Sequence, residues 1–228
     1  MRASPSQAAG SAGQTTGAPG SVAPRLSNEE VRIAKFAGSA LAVAAGILSI
    51  LSVFATWWIA TTGGVSTSFY PGLRYKAAGT WYTYASTGFG QVGGLFLAVL
   101  VLGIVAGILL LIAGGLMFVE ALGKRSLSAG RIAGLAVAGI VLEVAAAAAA
   151  PGLQPWAIRT SSGGSTFCSG WTGTSPCNAF WGSGSHGAAS FTFVGADGWI
   201  VMIGAMFLAI LGLAIRYLGR NPPDSGPA

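Results

Sequence analysis

Charge is what this chain has least of. Twelve Lys and Arg with six Asp and Glu make only 8% of its 228 residues charged, against about 25% in an ordinary soluble domain. That deficit excludes a water-soluble globular domain and points to a membrane protein. Histidine is almost absent as well. His186, the single one, lies in Gly/Ser-rich loop sequence and is read as a solvated residue rather than a base. Two cysteines beside one histidine supply too few ligands for a metal centre. No Walker A loop, His-Glu-x-x-His or Gly-x-Ser-x-Gly run occurs. No catalytic residue, cofactor or metal is therefore expected, and the chain reads as non-enzymatic.

What it does contain is apolar and small. Hydrophobic residues make up 53% of the sequence, and mean hydropathy is +0.67. Four stretches, roughly 33–60, 90–119, 132–153 and 198–218, reach the length of about 20 apolar residues that crosses a bilayer. The expected fold is an all-α, four-transmembrane-helix bundle made of two tandem hairpins, with a small β-rich domain built from the two outer loops. Segment 1–26 is expected to be disordered. The first hairpin covers 27–119 with outer loop 61–89, a cytoplasmic link covers 120–130, and the second hairpin covers 131–218 with outer loop 157–196. The tail 219–228 is expected to be disordered again. Ser27 followed by Glu30 reads as a capping box opening the first helix.

The net charge of +6 is distributed in a way that sets topology rather than nucleic-acid binding. With four crossings, Arg2, Arg25, Arg32, Lys35, Lys124, Arg125, Arg131, Arg216 and Arg220 all fall on one side, and only Arg74, Lys76 and Arg159 on the other. The positive-inside rule then predicts a multi-pass cell-membrane protein with both termini cytoplasmic. Attraction of the basic side to anionic lipid headgroups is a secondary expectation.

The two hairpins echo each other 99 residues apart. Arg32-Ile33-Ala34 recurs as Arg131-Ile132-Ala133, and Trp57 recurs as Trp156. Beyond the Trp, Ile59, Thr61, Gly64, Ser66 and Thr67 match Ile158, Thr160, Gly163, Ser165 and Thr166. Two copies of like orientation predict an approximate two-fold axis along the membrane normal. Alternating Ser, Thr and aromatic residues, with Pro71-Gly72 as a turn, predict a short β-hairpin in loop 1 and extended chain at 189–194 in loop 2.

Several side chains stand out. Trp57, Trp58, Trp156 and Trp199 are assigned to an interfacial aromatic belt, and Trp81, Trp171 and Trp181 to the core of the outer domain. Cys168 and Cys177 are expected to form a disulfide, worth about 2–3 kcal/mol if unstrained. Gly103 and Gly107 form a Gly-x-x-x-Gly helix-packing face. Glu143 lies about 18 Å into the third span from Arg131, near the bilayer midplane, so it should face the bundle interior. Its counterpart in the first copy is Ala44, which makes Glu143 a private feature of the second hairpin.

Four spans, Trp at the outer end of the first, and a β-rich outer domain with one Cys-x8-Cys bridge resemble the claudin-like tetraspan architecture. The likeness is one of topology. In that family the Trp/Cys signature sits in the first external loop, whereas Cys168 and Cys177 fall in the second, so no functional residue is carried across. The expected role is an accessory, interaction or structural subunit in the lipid bilayer, working with another membrane protein or a second copy. A small transporter, channel or proton-coupled component using Glu143 is the alternative.

Overall fold

A computed structural model describes residues 27–123 and 128–218. The expected disordered ends and residues 124–127 of the link, Lys124 and Arg125 among them, lie outside that range. Four helices are long and apolar enough to cross a membrane, the pattern of a multi-pass membrane protein. They are α1 (Asn28–Ser52), α2 (Gly90–Ala121), α3 (Ala129–Thr160) and α5 (Asp197–Leu218); a short α4 spans Gly164–Cys168. The capping box opens α1, with the Ser27 N–H donating to Glu30 and the Glu30 N–H to Ser27 Oγ.

Glycine sets how closely the helices approach. A Cβ on Gly107 would lie 2.7 Å from the Gly46 carbonyl oxygen, and one on Gly38 would lie 2.7 Å from that of Gly212. Thus α1 lies in near-backbone contact with both α2 and α5. Gly139 of α3 accommodates Leu110 of α2 in the same way. Gly103 faces Val53 and Met202. The Gly103/Gly107 face is therefore occupied by α1 and α5 of the same chain. Serines fasten these contacts: Ser39 Oγ donates to the Gly114 carbonyl at 2.8 Å and Ser49 Oγ to the Gly103 carbonyl at 3.0 Å.

At the end of the bundle away from the sheet, Glu120 accepts from Arg216 at 2.6 Å and faces Lys35 Nζ at 3.5 Å. This ionic clasp ties α1, α2 and α5 together.

Two helix ends differ from expectation. The first span stops at Ser52 rather than near Trp57, because Trp58–Thr62 is drawn into a strand. The third was expected to end near residue 153, just past Pro151-Gly152, yet α3 continues through Pro151 and Pro155 to Thr160. Proline deletes one helical N–H and so frees the carbonyl four residues earlier. For Pro151 that carbonyl belongs to Ala147, and Trp199 Nε1 donates to it at 2.8 Å. A side chain of α5 repairs the helix where its own backbone cannot.

The outer loops exceed the expected short hairpin. Seven strands form one antiparallel sheet in the order β4-β3-β2-β1-β7-β6-β5. Loop 1 supplies β1 (Trp58–Thr62), β2 (Val65–Phe69), β3 (Arg74–Ala77) and β4 (Thr80–Thr83); loop 2 supplies β5 (Trp171–Gly173), β6 (Gly182–His186) and β7 (Ala189–Gly195). The two loops join through β1 and β7, with Ala60 opposite Phe193 and Trp58 opposite Gly195. Period-two alternation then puts Trp58, Ala60, Phe69, Tyr75, Phe191 and Phe193 on one face. Ile59, Thr61, Ser66, Lys76, Trp81 and Thr192 take the other.

The sequence echo ends at the membrane exit. Ile59 through Thr67 become β1 and β2, whereas their counterparts Ile158 through Thr166 close α3 and enter α4.

Candidate functional site

The inner face of the sheet arches over the outer ends of α2 and α3 and encloses an aromatic pocket of about 250 Å³. Each helix has 32 residues, about 48 Å of length, so both outlast the roughly 30 Å hydrocarbon core. Val92, on the pocket floor, lies about 42 Å along α2 from Glu120, a separation greater than that thickness.

Three parts of the chain build the walls. The sheet contributes Trp58, Phe69, Tyr75, Phe191 and Phe193, of which Trp58 and Phe193 are buried. The helix ends contribute Val92, Gln154 and Ile158, all buried. Tyr84 sits between them on Gly93, where any Cβ would lie 2.9 Å from the Tyr84 Cβ and 3.1 Å from its ring. Burial, with Tyr75 beside it, holds the Tyr84 phenol well above its usual range. The hydroxyl stays protonated and donates to the Tyr70 carbonyl.

The third part is the disulfide-bonded strap. Cys168 ends α4 and is joined to Cys177, with Cα atoms 5.8 Å apart. Between and beside these cysteines the strap delivers Phe167, Trp171 and Pro176 to the pocket. Trp171 is locked by donating Nε1 to the Phe167 carbonyl at 2.7 Å. His186, read from sequence as solvated, is half-buried instead and packs its ring against Trp171 at 5.4 Å.

Gln154 is the unspent polar group. Its side chain is fully buried and neither amide atom has a hydrogen-bond partner. Sequence reasoning missed it by placing the end of the third span just before it. The signal was a glutamine between apolar neighbours, followed by Pro155.

The tryptophans are arranged differently from the expected belt. Trp57 is buried and ties three elements together: its N–H donates to the Phe69 carbonyl, its carbonyl accepts from Ala196, and Nε1 donates to the Ser52 carbonyl at 2.7 Å. Trp58 is buried and donates Nε1 to the Phe180 carbonyl. Trp199 is half-buried on Ala147, and Trp156 is exposed, the disposition a belt residue would have. Conversely Trp81 and Trp181, expected in the outer core, are both more than half exposed (52% and 56%).

Glu143 is fully buried inside the bundle. Neither carboxyl oxygen has a hydrogen-bond partner. Ser49 lies beside it, but its hydroxyl is directed to the Gly103 carbonyl and the Met202 sulfur.

Together these features have the pattern of a multi-pass membrane protein in which two inter-helix loops fuse into one disulfide-braced sheet over an aromatic pocket. Comparison with protein-family models, with curated proteins and with solved structures returned no match.

Proposed function

We propose that this chain is a non-enzymatic accessory or interaction subunit of the cell membrane, presenting its sheet domain outside while both termini face the cytoplasm. One observation carries the reading. Two loops distant in sequence merge through the β1–β7 pairing into a single braced platform, and that platform exposes Trp81 beside Lys76 on its outward face. A surface tryptophan on rigid backbone is the residue type that dominates binding energy at protein interfaces. The partner is another membrane protein or a second copy of this chain. Crosslinking in native membranes, followed by purification in mild detergent, should recover a defined partner, and Trp81→Ala should lower that yield at least fivefold. A monodisperse monomer with no crosslinked species would refute the reading.

Buried, unpartnered Glu143 favours a second reading, a small proton- or ion-coupled component. Flux in proteoliposomes that Glu143→Gln abolishes would support it. Absence of flux in the wild type, or an unchanged flux in the variant, removes it.

A further inference from the structure

We propose that the pocket beneath the sheet binds an uncharged lipophile carrying one hydrogen-bonding head group, with the head on the Gln154 carboxamide and the apolar body among the aromatic rings.

The chemistry of the walls defines this ligand by subtraction. Among the described residues no Asp, Glu, Lys, Arg or His lines the pocket, so none of them would compensate a charged ligand for losing water. The indoles of Trp58 and Trp171 already donate to the Phe180 and Phe167 carbonyls, and Tyr84 donates to Tyr70. Besides the Thr67 and Tyr75 hydroxyls on the sheet wall, that leaves Gln154, which is fully buried, offers both a donor and an acceptor and uses neither. Buried polar side chains left wholly unpaired are rare in folded proteins. Water alone would leave the aromatic rings that make up most of the wall uncovered. An alcohol or amide on an alkyl or aromatic body satisfies the carboxamide and covers the rings together. A pocket at the sheet-side ends of two long apolar helices gives two sources for such a molecule: a neutral membrane lipid, or a free lipophile that partitions into the bilayer.

The proposal differs from the interaction role, since it concerns the inner face of the sheet and needs no partner protein. The test uses the full-length protein in lipid nanodiscs and a photoreactive diazirine derivative of decanol, with labelled peptides mapped by mass spectrometry. Labelling should concentrate on the peptides carrying Gln154, Phe167 and Phe193 rather than on lipid-facing helix surfaces. Unlabelled decanol should compete, and decanoate should compete at least tenfold less well. Gln154→Leu, close in volume, should weaken decanol competition about fivefold, the worth of one neutral hydrogen bond, and leave decane competition unchanged. Ala77→Trp should plug the pocket and abolish labelling, with circular dichroism reporting whether either variant stays folded.

If labelling appears only after delipidation and extracts of the purified protein contain a neutral lipid, the occupant comes from the bilayer. Labelling without delipidation identifies a free lipophile. The proposal fails if pocket peptides are labelled no more than lipid-facing ones, if decanoate competes as well as decanol, or if folded Gln154→Leu competes like wild type.

Discussion

Gly107 marks a point of close approach between α1 and α2, and a single methyl group there tests the packing argument directly. A Cβ at Gly107 would lie 2.7 Å from the Gly46 carbonyl oxygen and 2.6 Å from Ile50 Cγ1, where ordinary contact begins at 3.4 Å. A backbone oxygen cannot rotate away. Gly107→Ala must therefore push the helices apart by the better part of an ångström, an overpacking cost of about 1–3 kcal/mol. Gly115→Ala on the same helix is the control, because its Cβ meets nothing within 4 Å. Removing glycine from a helix there gains up to about 1 kcal/mol. That gain belongs to both substitutions and cancels, so the two variants should differ by about 1–3 kcal/mol, on the order of fivefold to a hundredfold in the folded-to-unfolded ratio. Unfolding in mixed micelles, titrated with sodium dodecyl sulfate and followed by tryptophan fluorescence, measures this. Equal midpoints would refute the close-approach argument. A midpoint shift that depends on protein concentration would show that Gly107 acts between chains rather than within one.

Three further outcomes follow from the same physics. Reducing the Cys168–Cys177 bridge, or Cys168→Ser, should cost about 2–3 kcal/mol of stability; a thermal scan with and without reductant reads it, and reduction should also loosen the strap bearing Phe167 and Trp171. Trp199→Phe should cost about 1–3 kcal/mol by stranding the Ala147 carbonyl, and adding Pro151→Ala, which restores a backbone donor, should recover part of it; a double-mutant cycle with no coupling would rule out the repair. Glu120→Gln should destabilise by about 2–3 kcal/mol, because Arg216 is largely buried while Glu120 keeps some contact with solvent. That loss should exceed the loss from Lys35→Met, since Lys35 lies farther from Glu120 and is more exposed.

The membrane class, the four spans and the disulfide were legible in the sequence because each rests on a local property. Span length follows from apolar content, and the bridge follows from two cysteines close together in one loop. The candidate pocket was not legible. Its walls come from residues as far apart as Trp58 and Phe193, and no short-range pattern declares that β1 will pair with β7. The tryptophan assignments show the same limit. Position near a span end pointed to an interfacial belt, but strand pairing starting at Trp58 buried it, and the indole of Trp57 was captured by the Ser52 carbonyl. Helix α3 ran past its proline stop for a tertiary reason too, since the replacement donor is Trp199, 52 residues away.

Composition by itself pointed to a membrane protein, because 8% charge with 53% hydrophobic residues suits an apolar medium, and four long apolar runs pointed to helices within it. The abundance of glycine likewise fixed that the helices would approach closely. Only the tertiary structure decided which glycines touch which backbone, how two loops became one sheet, and that Gln154 and Glu143 would be sealed away without partners. Those outcomes depend on contacts between segments distant in the chain, and such contacts exist only once the bundle and the sheet have formed together.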